Sequence, residues 1–463
     1  MDRLTGQDLI TLWPEDAGCP QDVGALALLD GEPLLDERGD VRLGAVRAAV
    51  AARLHLVPRF RQVILEPRRG LGRPVWVDSR SFDVAQHVRL APPAALHDES
   101  ALLRAVDALR RRPLDRSRPM WEMWLLPGLP GGTVALYVRV HHVVADGPAA
   151  VRMLATLLDT RPDPARAPPP PAWQPQPAPS VAQLRADARA RRRAAAAALL
   201  ARLARRPARP AGEVAPGPGR RWGGRRPGRL PGRPEPRTDL TGPIGPDRTF
   251  VLLRADLDAV RLAARRHGAT VNDVLLGAVT TGLRRLLQAR GQPVSGRVLR
   301  AMVPVSLRAG SPADERGNVI GSMLAPLPVA APDAATAVRL VAARTAGLRG
   351  RTPPRRVPVL RSRCLRRAAL AALARQRVYT TYVANVRGPE RRLYLAGAPL
   401  REIFALVPLL GNLRLGVGAL SYAGRLTVAV VADRASVPDV DSFVLGLRDG
   451  LGELVGRAPG PAG

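Results

Sequence analysis

Seven consecutive residues, His141-His142-Val143-Val144-Ala145-Asp146-Gly147, place two imidazoles, a carboxylate and a glycine in one short run. Neutral imidazole accepts a proton near physiological pH, and histidine is the usual general base for activating a hydroxyl. Thr133 to Val140, just upstream, reads as a strand in which Val134, Leu136, Val138 and Val140 alternate with Ala135, Tyr137 and Arg139. Continued alternation puts His142 on the apolar face and His141 on the opposite one. Burial on that face disfavours the charged ring and keeps it able to take a proton. The strand breaks at Asp146-Gly147, and Pro148 suits the first turn of a helix running to about Asp159. Asp146 therefore sits at a turn, where it either holds the loop through an ion pair or orients His142 as in a triad. Spacing does not choose between the two. A lone inward histidine is usually a core residue; two adjacent histidines followed by Asp-Gly form a far more specific pattern.

The elements that must position this run fall into two globular regions, as a length of 463 residues leads one to expect. Residues 1–160 alternate strand-like and helix-like segments, such as a strand at Val23 to Leu29 and a helix at Leu43 to Leu54. Residues 161–248 have linker composition and are expected to be largely disordered. Four prolines at Pro168 to Pro171 open the stretch, and Gly, Pro and Arg dominate from Pro207 to Arg237. Inside it, Val181 to Arg206 is a candidate helix, with Leu184, Ala188, Ala195, Leu199 and Leu203 near one face. It reads either as a basic amphipathic helix on an anionic membrane or as a solvated Ala/Arg segment. The second reading is preferred, because an alanine face buries little area. Globular patterning returns over 249–457, and 458–463 form a tail. The second region starts with a strand at Thr249 to Leu253 and a helix at Leu257 to Arg266. Another helix begins at Thr270, where Thr270 and Asp273 have capping-box spacing. Further strands are expected at Val298 to Val305, Val378 to Asn385 and Leu426 to Ala432.

All 71 basic residues are arginine, against 39 acidic residues, for a formal net charge of +32. Arg, Ala, Gly and Pro are abundant together, which resembles a coding bias, so the arginine count alone does not specify function. A field of this sign still attracts anionic partners, such as lipid headgroups or the phosphates of coenzyme A. Nucleic acid is not expected, because the arginines are not interleaved with stacking aromatics and no groove-reading motif is present. Cys19 and Cys364 are the only cysteines. They imply neither a disulfide framework nor a metal site, and they fit a reducing cytoplasm. No signal-peptide pattern and no apolar run of 18 residues is visible. The expected location is cytoplasmic, with any membrane or lipid-inclusion contact peripheral.

His141 to Gly147 matches the H-H-x-x-x-D-G signature of the chloramphenicol-acetyltransferase-like superfamily. From Leu4 to about Val455 the chain resembles one branch of it, the bacterial wax ester synthase/diacylglycerol acyltransferases. Arg118-Pro119-Met120-Trp121-Glu122 is similar to that family's P-L-W-E segment, and Thr270-Val271-Asn272-Asp273 matches its N-D block. Val303 to Arg308, Gly317-Asn318, Asn385-Val386-Arg387-Gly388-Pro389, Leu420 to Tyr422 and Ala432 to Arg434 follow in the usual order. Two departures stand out: Met120 replaces a leucine, a volume-conserving change, and Arg387 replaces a proline in the loop after Asn385.

The resemblance implies an α/β fold of two chloramphenicol-acetyltransferase-like halves, each a mixed sheet with flanking helices, and an active-site tunnel between them. It implies direct transfer of an acyl group from long-chain acyl-CoA, the co-substrate, to diacylglycerol or a fatty alcohol. No bound cofactor or metal is expected. His142 would be the general base, with His141, Asp146 and Gly147 completing the motif. Asp146 resembles a structural aspartate that pairs with an arginine, for which Arg308 is the candidate. Asn272 belongs to a block linked to activity, whereas capping already accounts for Asp273. Ser306 and Asn385 are candidate donors to the oxyanion, and Trp121 reads as core packing. Two rival functions share the motif or the charge. One is a carrier-protein-dependent, condensation-type acyltransferase, and the other is a non-catalytic scaffold on membranes or lipid inclusions.

Overall fold

The computed structural model describes residues 1–17, 20–163, 172–204, 238–306, 320–348 and 363–456. The first part of the chain runs through α1 (Gly6–Leu12), a 3-10 turn (Trp13–Ala17), β1 (Asp22–Asp30), α2 (Leu43–Arg53), β2 (Gln62–Leu65) and β3 (Val75–Asp78). It continues through β4 (Val88–Leu90), α3 (Glu99–Arg110), β5 (Trp121–Leu129), β6 (Thr133–His141), α4 (Gly147–Thr156) and α5 (Val181–Ala204). Then come β7 (Arg248–Asp256), α6 (Leu257–Arg266), α7 (Val271–Ala289), β8 (Leu299–Ser306), β9 (Ile320–Leu327), α8 (Ala334–Ala346) and α9 (Arg363–Leu373). The chain closes with β10 (Thr381–Arg387), β11 (Tyr394–Leu395), β12 (Ala398–Leu406), β13 (Leu415–Tyr422), β14 (Arg425–Asp433) and α10 (Val440–Val455).

Two mixed sheets carry the fold, as expected for two α/β halves. The first has strand order β11-β12-β1-β6-β5-β4 and is antiparallel except between β4 and β5. The second has order β7-β14-β13-β10-β8-β9, with β10 parallel to both of its neighbours. In the second half, α6, α7, α8 and α10 cover one sheet face around Val274, Leu283, Val338 and Phe443. A separate apolar cluster joins the halves: Leu26, Trp124 and Tyr137 meet Phe250, Leu252 and Val431, with Phe404 and Leu406 of β12 between them. Polar contacts reinforce that seam. Asp107 on α3 is fully buried; it pairs with Arg110, Arg111 and Arg434 and accepts the Arg248 N–H.

The division into 1–160, linker and 249–457 needs two corrections. First, β11 and β12 arise from the late part of the chain yet complete the first sheet, where β12 pairs antiparallel with β1 from Gly24/Leu406 to Leu29/Leu400. β12 alternates buried and half-exposed residues, a pattern equally suited to either sheet. It lies face-on against the second sheet at Gly418, where an added Cβ would meet the Ala405 carbonyl at 2.2 Å. Second, the segment expected to be largely disordered contains structure on both sides of 205–237. α5 docks through Leu184 onto Leu71 and Val75, and Arg3 bonds Asp187 at 2.5 Å. Beyond Ala188 its described residues are exposed, including Leu200, so only the first two turns are held by packing. Leu240 is buried in the second core, and Thr241 bridges to Leu413. Residues 164–171 and 205–237, Cys19 and the tail lie outside the described residues. No helix among the described residues is long and apolar enough to cross a membrane.

Local signals in the second half translate directly. Thr270 caps α7, with its hydroxyl accepting from Asp273 N–H while the Asp273 carboxylate accepts from Thr270 N–H at 2.8 Å. Asp273 is fully buried and also accepts the Thr345 hydroxyl of α8 at 2.7 Å. Asp273→Ala is therefore expected to lower stability by about 1–3 kcal/mol in urea unfolding, since it removes half of the capping box and the carboxylate that accepts the Thr345 hydroxyl.

Candidate active site

β6 is covered on both faces: every residue from Val134 to His141 is buried. One face carries Leu136, Val138 and Val140, which pack in the first core; the other carries Tyr137, Arg139 and His141. The expected split into two faces is present, but the polar face is buried too. Arg139, 1% exposed, lies between Glu122 at 2.8 Å and Asp22 at 3.5 Å. Regular pairing ends at His141, opposite Asp22 of β1. His142 thus leads a turn and is partly exposed.

That turn is tied at each amide. The His141 N–H donates to the Met120 carbonyl at 3.0 Å, His142 N–H to the Gln21 carbonyl at 2.9 Å and Val144 N–H to the His141 carbonyl at 2.9 Å. The Val143 N–H donates to the His141 ring at Nδ1, 2.9 Å away. In a neutral ring the proton must then be on Nε2, which lies 2.8 Å from Glu15 Oε1. Burial raises the Glu15 carboxyl, but the hydrogen bond and charge of His141, together with Arg116, outweigh it and hold Glu15 below its ordinary range. Asp22 moves the other way: burial raises it despite Arg139.

Glu15, Asp22 and His141 bring three possible ligand atoms within 4.8 Å of one another. The cluster is poorly suited to a cation. The imidazole atom facing the carboxylates carries a proton, and Arg139 already partners Asp22.

Burial is the largest influence on the His142 ring and lowers its pKa from the usual 6.5; its own backbone and the Asp146 charge offset this only in part. Asp146 is the N-cap of α4, with Oδ1 accepting from the Ala149 N–H at 2.8 Å. Its carboxylate also lies close enough to Tyr382 of β10 to reinforce burial in raising that phenol. Gly147 begins α4 against Val386, whose Cγ2 would lie 3.5 Å from an added Cβ. The motif therefore meets the second half at β10.

The other candidates are spread out. Asn385 follows the pleat of Val383, which enters the second core, whereas Tyr382, Ala384 and Val386 lie on the alternate face. Ser306 ends β8, and Asn272 is half-buried in the first turn of α7. Arg308, the candidate partner of Asp146, lies outside the described residues. Trp121 is core, as expected, stacked between Phe60 and His87 with ring centroids 4.8 and 4.5 Å away. Sequence reasoning missed Glu15, Asp22 and Tyr382; none lies near the motif in sequence. It also missed capping by Asp146, although Asp-Gly-Pro before an apolar run is a legible helix start.

Two cavities lie beside β6, and neither is lined by a residue of the motif itself. One, of about 50 Å³, is almost wholly apolar and lies between α4 (Val151, Leu154, Ala155) and the first sheet (Leu136, Val138). Val138 precedes His142 by four residues, or roughly 13 Å along an extended strand. The other, about 190 Å³, opens at the seam beside Pro20 and Asp22. These two residues bracket Gln21, whose carbonyl holds the His142 amide.

Residues 4–275 match the wax ester synthase/diacylglycerol acyltransferase catalytic domain, and residues 316–455 match the WS/DGAT C-terminal domain. A probable diacylglycerol O-acyltransferase, tgs1, of Mycobacterium tuberculosis is 30% identical over 469 residues, 98% of this chain and 96% of that protein. A putative diacylglycerol O-acyltransferase of Mycobacterium bovis is likewise 30% identical, with the same coverage. Among solved structures, the wax ester synthase/diacylglycerol acyltransferase of Marinobacter aquaeolei VT8 superposes with a TM-score of 0.64 at 25% identity, covering 98% of each chain. The starter condensation domain of rhizomide synthetase shares the fold, with a TM-score of 0.58 at 15% identity over 99% of this chain and 95% of that domain.

Asp146 supplies the first helical turn after the motif with its acceptor. Asp146→Ala is expected to cost at least about 1 kcal/mol of stability, read as a lower thermal or urea midpoint.

Proposed function

The chain belongs to the wax ester synthase/diacylglycerol acyltransferase family, and from that premise we propose that it transfers an acyl group from long-chain acyl-CoA to diacylglycerol, or to a long-chain alcohol, with His142 as general base. The carrying observation is the placement of the H-H-x-x-x-D-G run: its turn at the end of β6 is tied to the Met120 and Gln21 carbonyls, Gly147 packs against Val386 of β10, and burial lowers the pKa of the His142 ring. The acceptor hydroxyl gives its proton to the neutral His142 ring as its oxygen attacks the thioester carbonyl. The tetrahedral oxyanion then collapses, the carbon–sulfur bond breaks, and the thiolate leaves with the proton from the imidazolium. A thioester is already activated, so holding both reactants at the seam supplies much of the rate. Ser306, which ends β8, is the candidate donor to the oxyanion; Asn385 lies on the β10 face turned to the second core, opposite the Tyr382 and Val386 face that meets the motif.

Diacylglycerol as acceptor is supported by the names of the mycobacterial relatives. The apolar cavity along α4 supports aliphatic substrates. Such substrates partition into membranes and lipid inclusions, so the protein is proposed to work as a peripheral protein on them, inside the cytoplasm.

Purified protein given palmitoyl-CoA with competing diacylglycerol and hexadecanol is expected to form triacylglycerol or wax ester, identified by mass spectrometry. A clear preference for an acyl-carrier donor would replace this reading with the condensation-type one. His142→Ala is expected to reduce turnover by at least about 100-fold without loss of the folded state; near-normal turnover would remove the base assignment. Because the neutral ring is the active form and its pKa is lowered, turnover should hold through pH 6.5 and fall only at more acid pH. A pH–rate profile with its acidic limb above 6.5 would contradict that state.

A further inference from the structure

We propose that Glu15 is a positioning residue: acting through His141, it sets the turn that presents His142. The proposal rests on His142 being the base.

Three of the four amides from His141 to Val144 donate to backbone carbonyls, which any sequence would supply. The fourth, on Val143, depends on a side chain, the Nδ1 lone pair of His141. That lone pair exists on Nδ1 only while the ring's proton is on Nε2. With the proton on Nδ1, two N–H groups would face each other at 2.9 Å, and the residue after His142 would have to move.

His141 is fully buried, so water cannot select the tautomer. Glu15 can: its carboxylate oxygen lies 2.8 Å from Nε2, and its negative charge favours a proton on that nitrogen over one on Nδ1. The carboxylate is itself oriented, because Arg116 grips Oε2 with Nε at 3.0 Å and Nη2 at 2.7 Å. A second carboxylate is near, on Asp22, but its charge is engaged by Arg139. The relay therefore runs from Arg116 to Glu15, through the His141 ring, to the Val143 amide. Glu15 touches no reacting atom in this scheme. Its effect reaches the chemistry as a small displacement of the His142 ring, and misplacement on the order of 1 Å costs up to about 100-fold in rate.

The test uses the full chain and two readouts. In protein labelled with 15N-histidine, the ring spectrum of His141, identified by its loss in His141→Leu, should show a protonated Nε2 and a bare Nδ1. In Glu15→Leu the proton should shift toward Nδ1. With palmitoyl-CoA and diacylglycerol, Glu15→Leu should lower kcat by about 10- to 100-fold while KM for palmitoyl-CoA changes by less than about threefold. His141→Leu should show a similar loss, and the double variant should be no worse than the poorer single one, because both remove one relay. Glu15→Gln, of the same shape, serves if Glu15→Leu does not fold, and should also lower kcat, because its amide cannot serve Arg116 and His141 as two acceptors. Additive losses, a His141 tautomer unchanged in both Glu15 variants, or a kcat within threefold of wild type would overturn the proposal. These outcomes are distinct from failure of the base assignment, which is read from His142→Ala alone.

Discussion

Strand β1 is hydrogen-bonded along both edges, to β6 from its own half and to β12 from the far end of the chain. That double pairing governs where the tandem histidines can lie. The β1–β6 register sets Asp22 opposite His141 and leaves the Gln21 carbonyl to receive the amide of His142. The β1–β12 register carries the late segment across the seam, where Phe404 and Leu406 fill the apolar layer between the sheets. A slip of one residue on either side would turn every side chain of the strand to the opposite face. The chemistry at the end of β6 is thus anchored by backbone pairing that involves none of the motif's own side chains.

Electrostatics near the motif follow from what is buried rather than from the large overall charge. The formal charge of +32 is spread over an arginine-rich chain. Close to the tandem histidines the ionised groups are matched: Arg139 with Glu122 and Asp22, and Arg116 with Glu15. Breaking the Arg139 pairing leaves a partner charge in a dry setting, which costs more than the pair contributes, whereas Arg116 is partly exposed. The two histidines consequently live in different surroundings. His141 is fully enclosed, with the Val143 amide at one ring nitrogen and the Glu15 carboxylate 2.8 Å from the other, whereas His142 stands at the turn, partly exposed, with burial lowering its pKa.

Much of this was legible locally. The helix at Leu257 to Arg266 and the cap at Thr270 follow from spacing and side-chain chemistry, and the strand leading into His141 follows from alternation. What sequence did not disclose is contact between distant segments. β12 carries an ordinary alternating pattern that does not say which sheet it joins. Glu15 lies in a short 3-10 turn with no periodicity to mark it, and its partners His141 and Arg116 are more than a hundred residues away. Leu184 looked like one leucine on a weak alanine face, and only the facing Leu71 and Val75 reveal that it docks. The expected ion pair of Asp146 with Arg308 falls outside the described residues, but the capping role of Asp146 was available from its position before Gly147 and Pro148.

The late arrival of β11 and β12 bears on how the protein is made. A nascent chain that has emerged only as far as α4 already contains β1, β5 and β6, yet the outer edge of β1 has nothing to pair with. Both faces of that strand carry apolar side chains, so it is the kind of unpaired border that recruits strands from other chains. More than two hundred further residues must leave the ribosome before β12 can cover it. The first half therefore cannot mature as an independent unit during synthesis, and a product truncated after α4 would be a natural client for chaperones rather than a stable domain.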